Sequence, residues 1–242
     1  MIGARLAGVG RRCPKSPEAG LGLAELIVTI MLGLLVLTMV ASLYISTAKS
    51  VYQSRNTNES TAGVSNAVNE LNRVIRFGTE NPRATVSQPD PAFLSAEREG
   101  LTLYSDVDVD ASVKPVGAYP KPQIVRFAID ATSRQLIESR WSATASGEFW
   151  TFPNYPGTAT SSRNLGGVFA PGTTTPLFTY YDANGAAITT PVTGSMSTAL
   201  LKTVASVKVT VTMRAASNPN APFVTVVNTI TMPNLGRSGV VS

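Results

Sequence analysis

The 242-residue chain contains no histidine, and its only cysteine is Cys13. Without histidine it cannot build a Ser/His/Asp triad or a Cys/His pair. One cysteine cannot form an intrachain disulfide or a thiolate metal site. Arg11 and Arg12 precede Cys13, whereas a lipoprotein signal has small apolar residues there. A Ser-Lys dyad is the catalytic arrangement that these absences leave open. We expect no enzymatic activity, no cofactor and no lipid attached at Cys13.

Charged residues are also scarce. They make up 14% of the chain, whereas hydrophobic residues make up 43%, which is enough for a packed core. The net charge is +5, of which residues 1–20 carry +3 and the other 222 residues carry +2. A nucleic-acid-binding domain would instead gather its basic side chains on one folded face. We expect no nucleic-acid partner.

No charged residue occurs from Leu26 to Ala48, a run of 23 mostly apolar residues. A membrane-spanning helix needs about 20 such residues, whereas a buried core helix, the alternative, is usually shorter and has a polar face. Because basic flanks stay in the cytoplasm, we expect the N-terminus inside, the span at about 21–48 and the rest outside. A cleaved secretory signal, cut near Ala41–Ser42, is a rival interpretation, although the run is long for one.

No proline lies between Pro17 and Pro82. This absence permits one helix over residues 21–78, roughly 85 Å long at about 1.5 Å per residue. The second half of this helix carries an apolar stripe at helical spacing, which predicts a packed amphipathic face. The stripe consists of Val64, Ala67, Val68, Leu71, Val74 and Ile75. The junction Asn56–Gly63 contains poor helix formers and could fray or stretch.

One carboxylate, Glu25, stands at the start of the apolar run, and no basic residue lies within two helical turns of it. A carboxylate in hydrocarbon must be neutralised or paired. If the chain is cut after Gly20, Leu21 acquires a positive α-amino group, which within one helix points away from Glu25. In a staggered bundle of such helices, the amine of one chain can meet Glu25 of the next. The pair would then form only on assembly.

The basic leader, Gly20, the run LGLAE (residues 21–25) and the long apolar helix together resemble the type III signal of the type IV pilin superfamily. The resemblance implies that a prepilin peptidase cuts between Gly20 and Leu21 and methylates the new N-terminus. It also implies that Glu25, the fifth residue of the mature chain, acts in assembly. Two features depart from the family pattern. Leu21 replaces the usual phenylalanine, and Ser42 stands near the place of the usual helix-kinking proline.

Beyond Pro82 the hydrophobic pattern changes to period two, which predicts an antiparallel, β-rich head over residues 79–242. Three hairpins are expected, each from two runs joined by turn residues. They cover Gln123–Trp141, Leu177–Thr190 with its turn at Asp182–Gly185, and Val204–Met232. Leu101–Asp110 also alternates as a strand would, whereas Asn154–Pro176 is expected to be a loop. The predicted fold class is α+β and pilin-like, with the amphipathic half of the helix covering one face of an antiparallel sheet.

The order of features from residue 64 to 232 also resembles the larger minor pilins, the J-type pseudopilins and W-type minor pilins. The resemblance rests on VNELNRVIRF (68–77), an Arg-Phe strand, the YYDANG turn (180–185) and the valine-rich last hairpin.

Two groups in the head are candidate binding residues. Asp106, Asp108 and Asp110 alternate and could bind calcium. A calcium loop would have glycine at position 111 and glutamate at 117, and this chain has neither, so a solvated strand end is the preferred interpretation. The other group is aromatic: Phe149, Trp150, Phe152 and Tyr155. It forms either an adhesive patch or, more commonly for such clusters, a group half in the core and half in a loop.

We expect a minor pilin or pseudopilin, a structural subunit that polymerises through its helix into a type IV pilus or a type II secretion pseudopilus. It would be a single-pass inner-membrane protein before assembly. Expected partners are the prepilin peptidase, other pilins, the assembly platform and membrane lipid. Two alternatives remain: a signal-anchored sensor or ligand-binding module, and a signal-anchored hydrolase. Gly20 and Glu25 favour the filament, because a simple anchor has no use for either.

Overall fold

The computed structural model describes residues 22–83, 88–107, 120–171, 175–216, 218–219 and 221–235. The chain divides into two compact units, Met1–Val51 and Tyr52–Ser242. The predicted leader, residues 1–20, and Leu21 lie outside the described residues, as do Asp108 and Asp110.

The fold is α+β, as the sequence predicts. Helix α1 (Leu23–Arg76) is followed, within the described residues, by twelve strands and a short helix α2 (Thr198–Leu201). The strands are β1 (Phe93–Ala96), β2 (Gly100–Ser105), β3 (Gln123–Ile129), β4 (Leu136–Ser142), β5 (Thr144–Ser146), β6 (Phe149–Thr151), β7 (Ser161–Asn164), β8 (Val168–Phe169), β9 (Phe178–Tyr181), β10 (Ala187–Ile188), β11 (Ser206–Arg214) and β12 (Val224–Thr231).

The second half of α1 is amphipathic, as predicted, and its apolar stripe lies in the main core of the second unit. All six stripe residues are buried. They belong to one cluster with Leu103 and Phe127 from one sheet and with Val209 and Tyr180 from another. The helical spacing of the stripe is what places these side chains on one face.

The junction Asn56–Gly63 is part of the continuous helix α1, despite the weak helix propensity of its residues. Tertiary contacts outweigh the weak local propensity. Ser60 is fully buried, and its hydroxyl accepts a hydrogen bond of 3.0 Å from the backbone N–H of Ala215. At Gly63 an added Cβ would lie 3.0 Å from the Met213 methyl group. The missing side chain therefore allows the end of β11 to pack closely against this part of α1.

The first sheet is antiparallel in the order β1-β2-β3-β4-β7. The predicted hairpin over Gln123–Trp141 is confirmed as β3 and β4, with Phe127 opposite Glu138. Its turn is closed by the Asp130 carboxylate, which accepts a 2.6 Å hydrogen bond from the N–H of Ser133. The carboxylate thereby takes the place of a backbone acceptor for an N–H group of the turn.

The second sheet has the order β10-β9-β11-β12, and β8 also pairs with β11. The two other predicted hairpins are confirmed. Strands β9 and β10 flank the turn at Asp182, whose carboxylate accepts hydrogen bonds from the N–H groups of Asn184 and Ala186. Strands β11 and β12 pair over eight residues, with Val207 opposite Ile230.

The head differs from the sequence-based expectation in three respects. The described strands form two five-stranded sheets and a separate β5–β6 hairpin, not one sheet. The expected loop Asn154–Pro176 contains β7 and β8, which lack apolar alternation because each lies beside a longer strand that supplies the pairing. The strand predicted over Leu101–Asp110 ends at Ser105 and is buried along its whole length rather than on alternate residues.

Candidate functional site

The first half of α1 presents an apolar surface. This helix is long and apolar enough to cross a membrane by length and composition, and none of its most apolar eighteen-residue window is buried. Several hydroxyl side chains of the segment form hydrogen bonds within the helix. Thr29, Thr38 and Ser42 each donate a 2.8 Å hydrogen bond to the carbonyl oxygen three residues earlier. Such internal bonding lowers the cost of placing hydroxyl groups in hydrocarbon.

Glu25 lies in the first turn of α1 and is exposed. Its backbone N–H donates a 2.9 Å hydrogen bond to the Gly22 carbonyl oxygen. Exposed Leu23 and Leu26 flank it along the chain. The helix dipole favours a carboxylate in the first turn of a helix. The dipole would do so equally among polar neighbours, so it does not account for an acid that is surrounded by apolar residues. The predicted cleavage pair, Gly20 and Leu21, lies outside the described residues.

A cluster of charged side chains lies where α1 meets the first sheet, and sequence reasoning missed it. Glu138 of β4 has a completely buried side chain, which accepts 2.5 Å bonds from Nε of Arg140 and from Nε of Arg163. Glu70 of α1 lies within 2.9 Å of Arg140, 2.7 Å of Arg163 and 2.7 Å of Arg73. These residues are up to 93 positions apart in the sequence, and only the sheet register brings them together. We call this group the charged cluster.

The charged cluster holds the pKa of Glu70 below its ordinary value. Burial by itself raises this pKa, but the hydrogen bond from Arg73 and the positive charges of Arg163, Arg73 and Arg140 outweigh burial. In the folded state Glu70 therefore keeps its negative charge to lower pH than in the unfolded chain.

The stability of the head should fall in acid because of Glu70. Its pKa is depressed on folding, so the stabilisation is complete above the unfolded value of 4.5 and is lost as the pH falls through the folded value. We expect the free energy of unfolding to fall as the pH drops below 4.5, and Glu70→Gln to flatten that dependence. Denaturant titrations at several pH values, followed by tryptophan fluorescence, measure it. Glu148→Gln, at an exposed site, is the control. An unchanged pH dependence in Glu70→Gln would refute the assignment.

Only one of the three candidate calcium-binding residues, Asp106, lies within the described part of the chain. Asp108 and Asp110 lie outside the described residues. Asp106 follows β2, and its N–H donates a 2.9 Å hydrogen bond to the Phe77 carbonyl oxygen. No group of three or more acidic, histidine or cysteine side chains suited to a metal occurs among the described residues.

The four residues of the aromatic group identified from the sequence lie at a cavity over the outer face of the first sheet. Trp150 is buried, whereas Phe149, Phe152 and Tyr155 are half-buried, so the expectation of a half-core, half-loop group is confirmed. The sheet contributes a cross-strand row of Tyr104, Ile124 and Trp141. Phe152 packs on Tyr104 with ring centroids 5.4 Å apart, and Tyr155 packs edge-on against Trp141 at 5.3 Å.

This aromatic cavity has a volume of about 400 Å³ and is lined by the five rings Tyr104, Phe149, Trp150, Phe152 and Tyr155, together with Ile124 and several polar residues. Burial raises the pKa of Tyr104 far above its usual value, and the nearby Asp90 carboxylate adds to the rise. The Tyr104 hydroxyl therefore stays protonated and donates a 3.1 Å hydrogen bond to Asp90.

No family model matches the chain, and no curated protein is similar enough to it to count as a relative. Any function of the chain must therefore be inferred from its residues and their geometry.

Proposed function

We propose that the protein is a minor pilin or pseudopilin, a structural subunit that polymerises through its N-terminal helix. The observation that carries the proposal is a membrane-length apolar segment with no buried side chain in its most apolar window and with one acid, Glu25, in its first turn. A contiguous apolar surface of this extent needs a partner, either lipid or other helices. The acid needs a positive partner once water is excluded.

The apolar segment and the acid acquire their partners one after the other. Lipid covers the apolar segment before assembly, with the basic leader in the cytoplasm and the head on the outer side of the inner membrane. A prepilin peptidase then cuts between Gly20 and Leu21. Other pilins, delivered by the assembly platform, replace lipid around the helix, and the new α-amino group of a neighbour meets Glu25.

The second half of α1 supports the same role. Its stripe anchors the helix in the head through fully buried Val64, Leu71 and Ile75. The charged cluster adds bonds from Glu70 to the strands of the first sheet. A subunit that is held in a filament by its helix must have that helix fixed in its own head, because otherwise the head would not be retained.

Blocking the cleavage site should keep the protein out of filaments. Gly20→Val adds bulk where the peptidase is expected to accept only a small residue, so the leader should stay attached and the protein should remain in the membrane fraction. Gel mobility reports cleavage, and immunoblots of sheared filaments report incorporation. Gly33→Val is the matched control for cleavage, because it adds the same bulk at a glycine away from the expected cleavage site and its Cβ meets no atom of the chain within 4 Å. Cleavage of Gly20→Val at the normal position would refute the proposed site.

A further inference from the structure

The aromatic cavity has the walls of a small-molecule site. Its volume of about 400 Å³ falls within the range of roughly 300–1,000 Å³ that is typical of ligand pockets. The ring contacts from Phe152 to Tyr104 and from Tyr155 to Trp141 fix several of its aromatic surfaces against the first sheet. Hairpin β5–β6 supplies Trp150 and Phe149. The walls are therefore held by two separate elements of the head.

One polar group at the cavity lacks a hydrogen-bond partner. Asn81 lines the cavity and is only 3% exposed. Its Nδ2 donates a 3.5 Å bond to the Trp150 carbonyl oxygen, but its Oδ1 has no partner. Backbone bonds to Asp90 in both directions, of 3.2 and 2.8 Å, fix the position of Asn81. Leaving a buried acceptor unpaired is destabilising. Oδ1 is itself covered, so a donor supplied by a ligand would satisfy it after a rotation of the Asn81 amide.

The charge at the cavity is already balanced. Arg83, which also lines it, forms a 2.5 Å ion pair with Asp90. Asp90 in turn accepts the Tyr104 hydroxyl hydrogen bond. An anionic ligand would have to compete with Asp90 for Arg83, and a cationic ligand would be repelled by the Arg83 guanidinium. The cavity therefore favours a neutral ligand.

We propose that the aromatic cavity binds a neutral sugar ring, which stacks its C–H face on the aromatic walls and donates a hydroxyl hydrogen bond to Asn81 Oδ1. A sugar ring has both an apolar face and several O–H donors, which matches rings next to an unpaired acceptor. The hydroxyls of Ser146 and Thr151 also line the cavity and can accept or donate further bonds. This activity is independent of the filament role, since every lining residue lies in the second unit.

The test uses the full chain in a zwitterionic detergent, because maltoside detergents would compete for the site. Maltose, cellobiose and N,N′-diacetylchitobiose are the probes, the last distinguishing N-acetylated from unsubstituted sugars. N-acetyltyrosinamide and inorganic phosphate represent a peptide side chain and an anion. Tryptophan fluorescence is a local reporter, because the chain has only two tryptophans and both lie at or beside the cavity. Saturation-transfer NMR provides a second readout.

We expect saturable binding of at least one disaccharide and no comparable binding of the two comparison compounds. Asn81→Leu should weaken the binding about tenfold, which corresponds to one lost hydrogen bond. Asn228→Leu on β12 of the second sheet is the matched control and should not change affinity. If Asn81→Leu does not unfold cooperatively, Phe149→Ala, at a half-buried wall position, replaces it. Failure of all three sugars to bind, stronger binding of N-acetyltyrosinamide or phosphate, or equal weakening by Asn228→Leu would overturn the proposal.

Discussion

Replacing Glu25 with valine is expected to leave membrane insertion and leader cleavage intact but to remove the protein from filaments. Valine makes the apolar segment more apolar, so insertion should be at least as favourable as in the wild type. The neighbouring subunit's α-amino group, however, would be left in a low-dielectric bundle without its partner. An uncompensated buried charge costs several kcal/mol, which is enough to prevent stable incorporation.

The pair is expected to select the axial stagger between neighbouring helices more than to add net stability. Desolvation of the two charges cancels much of their attraction, whereas a wrong stagger leaves both unpaired. Glu25→Asp should therefore incorporate at an intermediate level, since the charge remains but the reach is shorter. Crosslinks between cysteines introduced at positions 21 and 25 of different subunits would report the contact.

Quantitative immunoblots of sheared filaments measure the effect of Glu25→Val. Glu148→Val, at an exposed position in the head, removes the same charge elsewhere and serves as the control. It should reach filaments at wild-type levels. If Glu25→Val also reaches them at those levels, the acid only stabilises the first turn of α1 through the helix dipole, and the assembly role is wrong.

Glu138→Ala is expected to lower the free energy of unfolding of the head by about 3 kcal/mol, at the lower end of the range for breaking a buried ion pair. The Glu138 side chain is completely buried and bonds both Arg140 and Arg163. Without it, Arg140, which is 15% exposed, loses its closest partner. The loss stays near the lower end because Glu70 still contacts both arginines and Arg163 is half-exposed.

Denaturant unfolding of the full chain, followed by tryptophan fluorescence, gives this difference. Glu148→Ala, at an exposed position, should change the free energy by less than about 0.5 kcal/mol. A second variant, Arg163→Ala, should cost less than Glu138→Ala, because it leaves Glu138 paired with Arg140. A loss below about 1 kcal/mol for Glu138→Ala would show that the cluster contributes no more than a surface pair.

Local periodicity predicted those parts of the fold in which local pattern and tertiary contact agree. The stripe from Val64 to Ile75 has helical spacing and is buried as expected. The alternation in Val204–Met232 predicted β11 and β12 because one face of each strand is more buried than the other: β11 alternates buried with half-buried residues, and β12 mostly alternates half-buried with exposed ones. In both cases the pattern is long enough to dominate weak propensities.

The remaining features depend on contacts between distant residues. Strand β7 has the sequence SSRN, with no apolar alternation, and it is recognisable only from its pairing with β4 and the bond from Arg163 to Glu138. The junction near Ser60 is helical because β11 packs against it. Neither contact can be predicted from the spacing of residues along the chain.

The candidate site shows the same division. The sequence indicates the acid Glu25 and the aromatic residues around Trp150, because a lone charge in an apolar run and a cluster of rings are local signals. The sequence does not indicate a binding role for Asn81, since a single asparagine before a proline is typical of a turn. Its role depends on Trp150, 69 residues away, whose carbonyl oxygen it contacts.

Mass spectrometry of the N-terminus of the protein isolated from its own cells tests the central claim most directly. The proposed function predicts a mature chain that begins at Leu21 and carries a methyl group on its α-amino nitrogen. A chain that keeps residues 1–20, or one cut near Ala41–Ser42, would contradict it. In the first case Leu21 has no free α-amino group to meet Glu25, and in the second most of the apolar first half of α1, which should assemble, has been removed.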